Sequence, residues 1–244
     1  MAEEADTVLV QVDLTYRGLT SYSDKGFMES RDQPDSAETE IHKLTFSTHF
    51  RRPNFFRFEW CDSDREGVNV IWCDGKNAFA KYSYENKARH AETLRLAIAG
   101  ATGVSSGTAY TISTLLMEDV GRRKLTDMRD SVYRGAEIVN GEDCHHLQDA
   151  NRDRHIFISK SKSTILRIDE DYVIAAGSTE KALKSTRFRS IGLFMLWLRH
   201  VIEFRSEPDE DLRVISSTVY DQVLLNPDIP DFYFSEAGPA NTTP

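Results

Sequence analysis

The chain has 244 residues, 40% hydrophobic and 10% aromatic, which is ordinary for a globular protein and enough to bury a substantial core without cross-links. A net charge of -9 argues against a nucleic-acid partner, because neutralising phosphates takes clustered Lys and Arg, and against general attraction to anionic membranes. No stretch approaches the roughly 20 apolar residues of a membrane span. The three cysteines, Cys61, Cys73 and Cys144, are too few and too odd in number for a disulfide scaffold. In a simple hairpin register Cys61 pairs near Val68 and Cys73 near Phe56, at different levels of the ladder, so all three are read as free thiols. The N-terminus, MAEEADTVLVQ, is acidic and lacks the basic-then-apolar pattern of a signal peptide. The expectation is either a cytoplasmic protein or one whose leader has been removed.

In chain order, Val8–Leu19 has the spacing of an amphipathic helix, with Val8, Leu9, Val12, Tyr16 and Leu19 on one face. Tyr22–Arg31 is a candidate strand, followed by a polar loop with Pro34. Ile41–Phe50 alternates, Leu44, Phe46, Thr48 and Phe50 opposing Lys43, Thr45, Ser47 and His49. Phe55–Trp60 alternates too, with Phe56, Phe58 and Trp60 opposite Arg57 and Glu59; Val68, Val70 and Trp72 continue the pattern. Asp74-Gly75 reads as a type I′ hairpin signal before a return strand, Phe79–Tyr84. The period then changes to helical over Ala88–Thr102 and Thr108–Val120, separated by a Gly-rich break. Strands resume at Tyr133–Val139 and Asp143–Gln148 around Asn140-Gly141, then at His155–Ser159 and Thr164–Asp169. Ser178–Phe204 is the longest helical candidate. Arg213–Val223 is a last strand, leading to NPDIPDFYF and a disordered-looking tail over 236–244. Without linker or repeat, this predicts a mainly β, α+β fold: one domain over 1–235, a strongly curved antiparallel sheet covered by helices.

Four segments together resemble the LolA-like family of periplasmic lipoprotein carriers: TYRGLTSYSDKG (Thr15–Gly26), Phe50–Tyr82 with its Arg51-Arg52-Pro53 lead into an aromatic hairpin, GAEIVNGEDCHHLQ (Gly135–Gln148) and YDQVLLNPDIPDFYF (Tyr220–Phe234). The chain is nearest to relatives of the carrier rather than to the carrier itself. The resemblance implies a half-barrel that holds lipid against its concave face and does no chemistry on it, with no cofactor. It implies a location in the periplasm or cell envelope. It also gives Arg52 a role, an Arg before Pro that bonds helix carbonyls and holds a lid closed; a solvated strand-end Arg is the alternative. The segment 173–212 has no counterpart in the family core. Within it, Ile191–Leu198 is apolar on nearly every side, so Phe194 and Trp197 are expected to plug the open side of the half-barrel, with a membrane-surface or protein contact as the alternative.

The candidate ligand-binding residues are therefore Phe46, Phe56, Phe58, Trp60, Val70, Trp72, Phe194 and Trp197, facing an acyl chain or a lipidated protein. The same aromatics equally suit a plain core. Chemistry has fewer candidates. In a strand, Asp143-Cys144-His145-His146 puts Cys144 and His146 on one face and Asp143 and His145 on the other, but no second Cys/His cluster with ligand spacing completes a metal site. Ordinary packing with a surface His is the reading taken, and no metal and no catalytic residue is assigned. The acidic run 207–211 and the basic run 122–124 read as solvated. Phosphate-loop, dinucleotide and nucleophile-elbow motifs are missing from the sequence. The opposing hypotheses are an enzyme on the same half-barrel, which needs convergent polar groups inside an apolar pocket, and a ligand-free scaffold, which a filled interior would favour.

Overall fold

The computed structural model describes residues 2–32, 41–64, 66–121, 124–128, 130–149, 153–174 and 212–238. Helix α1 (Ala2–Gly18) buries Val8, Leu9, Val12 and Tyr16, with Leu19 just past its end, as the helical spacing predicts. The strands are β1 (Ser21–Asp32), β2 (Ile41–Arg51), β3 (Phe55–Asp62), β4 (Asn69–Asp74), β5 (Ala78–Lys81), β6 (Arg89–Ala91), β7 (Ser131–Val139), β8 (Glu142–Asp149), β9 (Arg154–Ser159), β10 (Ile165–Ile174) and β11 (Leu212–Leu225). All eleven join one sheet in the order β6-β5-β4-β3-β2-β1-β11-β10-β9-β8-β7. Every pairing is antiparallel. The sheet is two meanders joined where β1 pairs with β11, and it does not close.

Helices α2 (Leu94–Thr102) and α3 (Thr108–Leu116) fill the connection between the meanders. One hydrophobic cluster gathers residues of all three helices with Phe58, Trp60 and Ile71 from one wing of the sheet and Leu147, Ile156 and Ile158 from the other. Strands this far apart in the order share a core because the sheet curves around its helices. This is the curved, helix-covered sheet that the alternating pattern predicts, and the half-barrel that the resemblance implies.

Several boundaries differ from the sequence reading. The helix expected over Ala88–Thr102 begins only at Leu94; Arg89–Ala91 is instead a short edge strand on β5. Thr93 makes the break, since it is extended and its hydroxyl accepts from the Leu96 N–H at 3.2 Å, a side-chain N-cap. The second helix stops at Leu116, short of Val120. At Asn140-Gly141 both residues have positive φ (52° and 79°), as a type I′ turn requires. At Asp74-Gly75 only the glycine does, and the Asp74 carboxylate instead accepts from the Lys76 and Asn77 N–H groups at 2.9 and 2.7 Å. At the tail, Glu236 lies 3.2 Å from Lys81. The helical candidate 178–204, with Phe194 and Trp197, and the acidic run 207–211 lie outside the described residues.

Gly26 sits where the β1–β11 register shifts, between Lys25 and Gly26. A Cβ there would strike the Val219 carbonyl oxygen and come within 2.8 Å of the Phe46 ring. Gly26→Ala is expected to destabilise the protein by about 1–3 kcal/mol through overpacking, read as a lowered midpoint in urea with unchanged slope.

Candidate functional site

Sheet register decides which aromatics meet. Phe46 pairs with Trp60, Thr48 with Phe58 and Phe50 with Phe56, so these side chains share the helix-covered face. The rings form a continuous run across the sheet: Tyr220 to Phe46 at 5.4 Å between centroids, Phe46 to Phe58 at 6.1 Å, Phe58 to Trp60 at 5.5 Å and Trp60 to Tyr82 at 5.8 Å. Ile98 and Ala101 of α2 and Ile112 and Leu115 of α3 belong to the same cluster, and every one of these side chains is buried. Val70 and Trp72 do not belong to this face. Phe58 pairs with Ile71 and Phe56 with Cys73, which leaves Val70 opposite Glu59 and Trp72 opposite Arg57 on the outer face. Val70, Ile71, Trp72 and Cys73 are apolar in succession, so alternation alone could not choose the face.

Arg52 ties the helix to the sheet. Its guanidinium donates to the carbonyls of Leu19 at 2.7 Å, Arg17 at 2.8 Å and Tyr16 at 3.4 Å, the orphan acceptors at the end of α1. Two further ties act on this end. Tyr16 Oη accepts from the Ile165 N–H at 3.2 Å, and Asn226 Oδ1 accepts from the Thr20 N–H at 2.8 Å. Arg52 itself is exposed to solvent while making these bonds.

The interior also holds a carboxylate that the sequence reading passed over. Asp24 is 1% exposed and stands on the same face as Tyr22 and Met28. It accepts from the Thr48 N–H and the Tyr22 hydroxyl, both at 2.9 Å. Burial raises its pKa from 3.8 to about 7, against the pull of those hydrogen bonds. Burial and the nearby Asp24 charge in turn push the hydroxyls of Tyr22 and Tyr220 well above the usual tyrosine range. A signal existed in YSDKGFM: an acid at an inward position of an otherwise apolar alternation.

On the outer face, the C-terminal tail covers a second buried polar group. Arg57 pairs with Glu59 beneath it, and Arg57 Nη1 donates to the Ser235 carbonyl at 2.6 Å. Tyr233 packs edge-on to His49 at 4.9 Å, and burial, then the charges of Arg57 and Lys25, lower the His49 pKa to about 4. Alternation correctly opposes Arg57 and Glu59 to the phenylalanines, but an outward position here is not a wet one. Elsewhere, Cys144 is buried with Val139, Phe157 and Leu166. Among the described residues, His42, Asp62 and Asp64 bring three potential ligand atoms within 4.8 Å of one another, the His42 ring nitrogen 3.6 Å from Asp62 and 3.0 Å from Asp64, at the end of the β2–β3 ladder away from its turn.

Asp24 makes a signed pH prediction. Its folded pKa lies above its unfolded value, so the folded state binds the extra proton and its burial weakens the fold as pH rises from about 4 to about 7. His49 acts oppositely, its contribution being present above pH 6.5 and lost as pH falls toward 4. The difference between wild type and Asp24→Asn isolates the first effect. The variant should gain stability relative to wild type from pH 4 to 7, levelling off above 7 at on the order of 4 kcal/mol, measured by urea unfolding across that range.

No curated protein matches the sequence. Among solved structures, a DUF1329 family protein from Desulfovibrio piger is 12% identical, with 97% of this chain and 98% of that one covered and a TM-score of 0.36. LprF from Mycobacterium bovis is 8% identical over 93% and 97%, with a TM-score of 0.43. A LolA superfamily protein from Nitrosomonas europaea is 12% identical over 95% and 97%, with a TM-score of 0.32. The family model described as "Predicted periplasmic protein (DUF2092)" matches residues 27–186, and the chain belongs to that family.

Proposed function

We propose that this protein binds and carries an apolar ligand, an acyl chain or the lipid moiety of a lipidated protein, inside the half-barrel in the bacterial cell envelope. The observation that carries the reading is the ring run Tyr220–Phe46–Phe58–Trp60–Tyr82 laid under α2 and α3. Taking the ligand's own chain out of water against such a surface is worth roughly 25 cal/mol per Å² and has no directional demand, which suits a ligand of variable chain length. The periplasmic description of the family supports the location. Since the rings are buried, uptake requires the helices to part from the sheet, and Arg52 is the clasp that sets how readily α1 does so.

A second reading, a scaffold that binds no lipid, draws on the same burial: a face already packed needs no ligand to be dry. Native mass spectrometry of the purified protein separates the two, with co-purified lipid expected on the carrier reading. In solution, a fluorescent fatty-acid probe should bind and be displaced by unlabelled acyl chains. Arg52→Ala should speed probe exchange severalfold and lower stability by about 1–3 kcal/mol, since it strands the α1 carbonyls. Absence of lipid together with no probe binding to wild type or Arg52→Ala would leave the scaffold reading in possession.

A further inference from the structure

The outer face of β8–β10 holds a cluster that neither the apolar interior nor the tail explains. His146 pairs with Phe157 and Gln148 with His155, so His146 and His155 are diagonal neighbours on one face. His146 Nε2 and His155 Nδ1 face each other at 2.7 Å. The far nitrogen of each ring looks at a carboxylate: His146 Nδ1 is 3.7 Å from Glu137, and His155 Nε2 is 3.7 Å from Asp153. The His146 ring stacks on Phe157 with centroids 4.5 Å apart and planes at 20°, while Arg167 packs over the same Phe157 ring at 3.8 Å. Two imidazoles are thus held with their nitrogens convergent, at a place the side chains leave 19% and 33% exposed.

We propose that His146 and His155 form a surface site for a divalent transition-metal ion that favours imidazole, such as Cu2+ or Ni2+. Left to themselves, the two facing nitrogens share one proton, one donating and the other accepting. A metal ion displaces that proton and sits off the N–N line, with both rings turned so that their lone pairs converge on it. The Glu137 and Asp153 carboxylates, 3.7 Å from the far nitrogens and outside hydrogen-bond distance, favour a proton on those nitrogens by charge alone and so leave lone pairs on the two that face each other. Metal–nitrogen bonds of about 2.0–2.1 Å across a 2.7 Å separation subtend about 80° at the metal. That suits adjacent positions of a square-planar or octahedral ion. A tetrahedral ion such as Zn2+ would need the nitrogens about 3.4 Å apart. Burial first, then the neighbouring His155, hold the His146 pKa below the usual histidine value, favouring the neutral ring that a metal requires. Water, or Glu137 after a side-chain rotation, fills the remaining positions. Sequence spacing hides the site because its two ligands lie on different strands and meet only through the β8–β9 register.

The test titrates Cu2+ or Ni2+ into the full chain, free of any affinity tag, by calorimetry at pH 7.5, with the Cu2+ form examined by electron paramagnetic resonance. One equivalent should bind, with hyperfine coupling to two imidazole nitrogens. His155→Gln and His146→Gln should each abolish that stoichiometric binding; His155→Gln, at the more exposed position, should leave the metal-free melting temperature unchanged. His42→Gln, which removes the nitrogen of the other donor group, should bind as wild type does. Absence of stoichiometric binding by wild type overturns the proposal, as does retention of the two-nitrogen spectrum in both His146 and His155 variants. Loss of binding in His42→Gln alone would move the site to the β2–β3 hairpin and equally overturn it.

Discussion

The inward side of β1–β3 carries Tyr22, Phe46, Phe50, Phe56, Phe58 and Trp60, a ring surface that a sheet cannot leave in water without aggregating. The described helices cover it, and α2 and α3, nine residues each, are too short to be stable alone. Their helicity therefore depends on the sheet, and the dryness of the sheet depends on them. The ties that keep the layers together are few and specific: Arg52 on the end of α1, Tyr16 on Ile165, and Asn226 on the start of β1. Each pairs a backbone group at a junction between a helix and the sheet or between the chain ends.

The two faces of the sheet handle polar groups differently. On the outer face, Arg57 and Glu59 are buried as a pair under the tail, so charge is compensated where water is excluded. On the inner face, Asp24 has only hydrogen-bond donors around it, and its proton affinity rises instead. An interior acid that changes charge near neutrality is a local conflict with the apolar packing around it, the kind of exception to patterning that natural sequences keep at working sites.

Much of the architecture was legible from periodicity. The helical spacing of Val8 to Leu19, the alternation through Phe46–Trp60 and the Asn140-Gly141 turn all correspond to observed elements. Where the sequence reading failed, a second physical signal competed with the first. Ala88–Thr102 is helical in composition, but Thr93 caps the helix late and Ala91 finds a partner in Ala78. Val70–Cys73 is apolar on both faces, so only the hydrogen-bond register could assign Val70 and Trp72 outward. The buried Arg57–Glu59 pair was hidden because the tail that covers it is distant in sequence. Asp24 was hidden because a single acid in a strand is usually wet, and His146–His155 because a diagonal contact has no sequence spacing of its own.

The central claim is that an apolar chain lies against the inward face of the sheet and not the outward one. Tryptophan placement allows this to be read directly, since Trp60 faces in and Trp72 faces out, stacked on Phe79 at 5.2 Å. Two single-tryptophan proteins, Trp72→Phe/Trp197→Phe and Trp60→Phe/Trp197→Phe, would be titrated with a fatty acid brominated along its chain, and tryptophan emission followed. The account predicts strong, saturable quenching of Trp60 with little change at Trp72. Quenching of Trp72 alone, or of neither residue, would contradict it.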